Sequence, residues 1–312
     1  MKKLGIIFFL ISVLLTQFGI AQSEIDKLIA KAQTGDPKAQ NQLGVRYLLG
    51  DGVEKDPNQG VVWYRKAARA GYADAIFNLG AAYFNGTSVT VDDSMAFAFF
   101  SAAADAGSAP AKDAVERMQT EISKDQVAEG YLLLGEMKSS GKDLPQDYQA
   151  ARLAYEKASD LRPMALIRLA EMDIDGKGAR ADITKARDRC KRAADMRYPA
   201  GACCLGILYE GNKLGPPDYK TARDWYLKAA KQGYAPGAYY LGNLYAKGNG
   251  VPADPITAFS WYYIASAGDS RARAAFDTLS QKLTSAEQQK GAKIARKWID
   301  DNHIFVDVLR MR

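Results

Sequence analysis

The sequence holds one histidine and three cysteines in 312 residues, and after residue 21 no apolar run of the roughly 20 residues that a membrane span needs. The single imidazole, His303, confines Ser/His/Asp or Cys/His catalysis to the C-terminal end and excludes His-based zinc clusters. Cys-x-x-Cys, Walker and dinucleotide signatures are all missing, so no cofactor is implied. Lys plus Arg number 42 against 36 for Asp plus Glu, a formal +6. Spread over a long surface, that imbalance argues against a nucleic-acid partner. Ser/Pro-rich linkers are absent as well, which speaks against flexible joints between segments.

The first residues are rich in what the rest lacks. Lys2-Lys3 form a basic start, Leu4–Phe18 an apolar stretch, and Gly19-Ile20-Ala21 a small-x-small site before Gln22. This reads as a secretory signal peptide over 1–21. The competing reading is an uncleaved anchor, but the apolar stretch is short for a span and Ser12, Thr16 and Gln17 interrupt it. A periplasmic or secreted chain without a membrane span is expected. Export permits disulfides, and three cysteines (Cys190, Cys203, Cys204) leave at least one thiol over.

The remainder repeats. Leu43-Gly44, Leu79-Gly80, Leu134-Gly135, Leu169-Ala170, Leu205-Gly206 and Leu241-Gly242 recur at about 36 residues, with one interval of 55. A period of this size marks a repeat solenoid. Each unit reads as helix A with the Leu-Gly marker, a Gly-rich turn, and helix B with an aromatic pair such as Trp63-Tyr64, Phe99-Phe100, Trp225-Tyr226 or Trp261-Tyr262. Glycine inside a helix costs about 1 kcal/mol relative to alanine. Its recurrence predicts a packing reason: helix B aromatics approach the helix A backbone, with Ala170 small enough to substitute.

Ser23–Thr34 reads as an N-terminal capping helix. The long interval holds an extra helix over 109–122, closed by a Ser123-x-x-Gln126 capping box. A similar pair, with Thr284-x-x-Glu287 and Trp298, ends the chain. Two sub-arrays are therefore expected, 22–123 and 124–302, with helix 124–138 shared between the first cap and the second array, and a tail at 303–312. The middle repeats are degenerate. Lys138 and Asp173 replace a helix A tyrosine, and the pairs become Ala154-Tyr155 and Arg189-Cys190. These repeats are expected to be the least stable.

Ala39–Gly71 and Gly237–Gly268 carry the pattern A-x-x-x-L-G-x-x-Y-x-x-G-x-G-V followed by D-x-x-K-A-x-x-W-Y-x-K-A-A-x-x-G most fully. They resemble the Sel-one-like repeat (SLR) family of the tetratricopeptide superfamily, over about six repeats. The resemblance implies an all-α, right-handed α-α solenoid that works as an interaction scaffold. A cysteine-rich branch of that family, linked to penicillin binding, carries disulfides from helix B to the next helix A. Its cysteine positions fall on Ala194 and Ala202 here, so that likeness fails. Cys190 can still reach Cys203 or Cys204 across the same helix pair, or all three are small buried residues.

Such a solenoid would line its groove with helix A residues two before and two after the marker leucine. Those are Asn41, Val45, Phe77, Ala81, Leu132, Glu136, Ile167, Glu171, Cys203, Ile207, Tyr239 and Asn243. The ribbon is apolar with two central carboxylates, which suits a peptide with apolar anchors and a basic residue. Arg187, Arg189, Lys191 and Arg192 form either a docking patch for an acidic partner or a solvated face with i,i+4 pairs. The tail HIFVDVLRMR is apolar enough to fold back or to pair with a partner.

The functional expectation is a non-catalytic scaffold for a protein or peptide in the cell envelope. The alternative is an enzyme or binder acting on peptidoglycan or β-lactams. Its candidates are the Ser139-x-x-Lys142 tetrapeptide, which matches a motif of penicillin-recognising enzymes, and the Glu136/Glu171 pair. A third reading is a structural spacer.

Overall fold

In the computed structural model, the structure describes residues 23–302, and the signal-peptide and tail expectations lie outside them. The described chain is all-α. After α1 (23–33) come six helix pairs: α2/α3 (Pro37–Leu49, Pro57–Arg69), α4/α5 (Ala73–Asn85, Asp93–Asp105), α7/α8 (Lys124–Ser140, Tyr148–Ala158), α9/α10 (Pro163–Asp175, Ile183–Asp195), α11/α12 (Pro199–Glu210, Tyr219–Ala230) and α13/α14 (Ala235–Lys247, Pro255–Ala265). The extra helices are α6 (Ala109–Glu121) in the long interval and α15/α16 (Ser270–Ser280, Ser285–Asp301) at the end.

One hinge recurs in every pair. An aspartate caps helix B: Asp56, Asp92, Asp147, Asp182, Asp218 and Asp254 each accept from the backbone N–H groups of the first turn. A side-chain acceptor there meets one of the N–H groups the helix itself leaves unbonded. The same aspartates donate their own N–H, at 2.8–3.1 Å, to the carbonyls of Tyr47, Tyr83, Lys138, Asp173, Tyr209 and Tyr245 on helix A. The backbone of that position is used in all six repeats, so its side chain is free to change.

Across each pair the glycine meets a ring. A methyl on Gly135 or Gly206 would stand 2.4 Å from the Tyr155 or Tyr226 ring, and 2.5–2.6 Å from the ring on Gly44, Gly80 and Gly242. Tyr155 and Tyr226 are fully buried there. Burying each ring contributes about 2 kcal/mol, more than the helix propensity that glycine forfeits. Only the second residue of the aromatic pair makes this contact. The first packs elsewhere, as when Phe99 stacks on Tyr83 at 5.6 Å.

The degenerate repeat α9/α10 keeps the arrangement with other chemistry. Ala170 faces the station where Cys190 replaces the ring, and both are fully buried. Asp173, 1 % exposed, pairs at 3.0 Å with Arg189, whose side chain is 16 % exposed. An ion pair thus stands where other repeats pack tyrosine against tryptophan or phenylalanine. Cys190 is bonded to Cys204 of α11, and Cys203 is a buried free thiol.

The chain divides into two compact units, Met1–Leu161 and Arg162–Arg312. The boundary expected at 123/124 falls inside the first unit. The reason is α7, which packs on α5 through Gly130 against Phe97 and on α8 through Gly135 against Tyr155. A capping box does open it, with Ser123 and Gln126 bonded reciprocally. The same unit is tied over a long sequence distance: Arg65 donates to Asp143 at 2.9 Å and to the Tyr83 hydroxyl at 2.7 Å, and Arg69 donates to the Lys142 carbonyl. In the second unit α15 and α16 repeat the α6/α7 arrangement, with Gly291 against Phe259 as Gly130 is against Phe97.

Candidate functional site

Helix A presents the candidate residues, and each unit holds its own share. In the first, Phe77 is half-buried with its ring 5.2 Å from Phe100, and Glu136 is half-buried on α7. Leu132 is a correction to the expected ribbon. It is 7 % exposed, because α7 is packed on two sides and this residue belongs to the interior. Asn41 is buried as well, accepting from Asn78 at 2.9 Å.

In the second unit Ile167 packs half-buried against the core, and Glu171 is exposed and accepts from Arg168 at 3.2 Å. Ile207 is 43 % exposed, a branched apolar side chain left in solvent. Cys203, two residues before the marker, is interior rather than groove. Burial pushes its thiol up to about 12, and it lies close enough to Arg271 and Asp269 to interact with their charges.

Tyr239 and Asn243 belong to one linked cluster. Tyr239 stands 5.2 Å from Tyr240 and 6.1 Å from Tyr262, whose hydroxyl donates to Asn243 at 2.8 Å. Arg271 lies over Tyr239 at 4.6 Å and over Tyr240 at 5.4 Å. Two bonds from Arg271 to the Asp269 carboxylate and one to the Tyr240 hydroxyl fix its guanidinium. The hydrogen bond to Asp269 raises the guanidinium above its ordinary value, so this cation is permanent. A planar cation held over aromatic faces is a recognition element. Sequence reading missed Arg271 because it sits outside the helix A register, on the first turn of α15.

The basic run is a set of ion pairs. Arg187 donates to Asp188 at 3.0 Å and Lys191 to Asp195 at 2.7 Å, while Arg192 is exposed. Arg189 is no part of a surface patch, since it takes the place of the first aromatic of the pair and turns inward to Asp173. Ser139 lies in the last turn of α7, bonded to the Glu136 carbonyl and the Tyr155 hydroxyl. Lys142 follows the left-handed Gly141 cap. A penicillin-type pair needs serine at a helix start with lysine one turn inward, which is the opposite arrangement. Glu136 and Glu171 lie in different units.

A second surface was not legible in the sequence. A groove of about 510 Å³ on the first unit runs between α5, α7 and α8, lined by Tyr131, Leu134 and the exposed Leu153, with Lys157 4.8 Å over the Tyr131 ring. Among the described residues no group of three or more His, Cys, Asp or Glu is placed to hold a metal ion, and no helix is long and apolar enough to cross a membrane.

The Sel1 repeat family model matches residues 37–72, 73–108, 128–162, 163–198, 202–234 and 235–270. Among solved structures, the c5321 protective antigen of uropathogenic Escherichia coli, which displays an SLR fold, is 27 % identical over 89 % of this chain and 71 % of that one, with TM-score 0.38. A Sel1 repeat protein from Oxalobacter formigenes is 24 % identical over 82 % and 95 %, with TM-score 0.45. Immunity protein Pa5087 from Pseudomonas aeruginosa is 20 % identical over 79 % and 81 %, with TM-score 0.32. No curated protein matches the chain.

Proposed function

The chain belongs to the Sel1 repeat family, and from that membership we propose that it is a non-catalytic scaffold for a protein or peptide partner in the cell envelope. Sel1 repeat proteins generally mediate protein–protein interaction. The observation that carries the reading here is the Tyr239–Tyr240–Tyr262–Asn243 cluster with Arg271 fixed above it, on the helix A side that also leaves Ile207 exposed. Rigid aromatic and arginine side chains are the usual anchors of protein interfaces. The leader read at 1–21 supports export, and a Cys190–Cys204 disulfide suits an oxidising compartment.

The test is a photoreactive residue at position 207 in the exported chain, with a second at Gln289 as control. Adducts should form from 207, and should vanish when Ile167→Asp and Tyr239→Asp are combined in a chain whose helicity is unchanged. Adducts that survive the double change would overturn the groove. Mass measurement of the chain from the envelope fraction checks export, since it should lack residues 1–21.

A further inference from the structure

Five of the six repeats close helix B onto helix A by laying a ring against glycine, and the repeat 163–198 does not. There Ala170 meets Cys190, Arg189 stands where the neighbouring ring would be, and the partner of Arg189 is the buried carboxylate of Asp173. Apolar ring area is thus missing from two adjacent stations of one repeat. Buried ion pairs are poor substitutes for packed apolar side chains, because desolvation offsets their attraction. Cys190 is the residue at the vacated station, and it is bonded covalently to Cys204 in the next helix A. The cross-link is found in the one repeat that lacks the ring.

We propose that the Cys190–Cys204 disulfide is a reducible joint: its reduction loosens the repeat 163–198 from the repeat that follows, inside the second unit, while α12 to α14 stay closed. The reductant is a dithiol. Its thiolate attacks the sulfur of Cys204, which is half-buried where Cys190 is fully buried. The S–S bond breaks, Cys190 leaves as a thiolate and takes up a proton. The second thiolate of the reductant then attacks its own sulfur in the mixed disulfide and expels Cys204. The protein gains two electrons and two protons, and the dithiol becomes a cyclic disulfide. Cys203 takes no part while the joint is closed, because it is buried and its thiol is held protonated. Opening leaves it covered, because it lies against Tyr226, Tyr234, Asp269 and Arg271, on the side that stays closed.

The closed loop is short, with a sequence separation of 14. Cross-linking a loop of this length shifts the opening equilibrium on the order of a hundredfold. Hydrogen exchange on the full chain, with and without dithiothreitol, reads that shift. Amide protection in α10 should fall on the order of a hundredfold on reduction, with α12 to α14 unchanged. Maleimide should modify Cys204 only in the reduced chain, and Cys203 in neither form. Unchanged protection in α10, or an equal loss in α10 and α14, overturns the joint; the second result would make the bond a staple of the whole unit. The double variant Ala170→Gly/Cys190→Tyr restores the ring on glycine, and its α10 protection should ignore dithiothreitol. Reduction of the unaltered chain decides the matter even if that variant fails to fold.

Discussion

Gly206 and Ala170 occupy the same station on successive helices A, and one ring separates their environments. The Tyr226 ring lies where a methyl on Gly206 would be, and it has nowhere to go. Gly206→Ala gains about 1 kcal/mol of helix propensity but overpacks a full site, which typically costs 1–3 kcal/mol and sometimes more. We expect a net loss of about 1 kcal/mol in urea unfolding. The glycine–ring contact was legible because a residue that weakens helices recurred at fixed spacing beside a recurring ring. The choice of Cys204 over Cys203 was not, since neighbours on a helix point about 100° apart and only packing says which points at Cys190. Cys203 makes a separate prediction. The unfolded thiol ionises near 9 and the folded one near 12, so its contribution to stability is complete below pH about 9 and fades as pH rises towards 12. Melting at pH 8 and 10.5 should therefore show a smaller alkaline loss in Cys203→Ala than in the parent. Tyr262, also pushed up to about 12 by burial, keeps the loss from disappearing.

Every helix B starts on an aspartate and α16 carries Glu287 in its capping box, and these carboxylates set the behaviour of those helix starts in acid. Asp218, chiefly through the Thr221 N–H, and Glu287, chiefly through the Thr284 hydroxyl, are held below the ordinary carboxylate range. A depressed folded value means stabilisation that is present above the unfolded value, near 4, and is lost as pH falls through the folded one. Protection factors, corrected for the intrinsic rate at each pH, should fall at the first turns of α12 and α16 between pH 5 and 3 before the cores open. Glu287→Gln should remove the pH dependence of α16 alone. The capping boxes were readable as sequence motifs. The tie between Arg65 and Asp143 was not, because it joins residues two repeats apart and depends on how successive pairs stack.

On the scale of the whole chain the period was plain and the division was not. The extra helix and its capping box marked a change of element at 123/124, whereas compactness follows contacts, and α7 makes them on both sides. Its two-sidedness rests on Gly135, twelve residues beyond the cap Ser123. The terminal copy carries Arg296 at that register, exposed among Lys293 and Lys297. Gly135→Arg should expel Tyr155 and open α8, at a cost of about 3 kcal/mol or more, with early tryptic cleavage between 141 and 161 as the readout. Replacing Lys293, Arg296 and Lys297 by the leucine, glycine and glutamate found at 132, 135 and 136 is the reverse operation. One helix design therefore serves this molecule both as terminator and as splice. Its length is written in three side chains, and a longer version could be built by editing those and adding a pair.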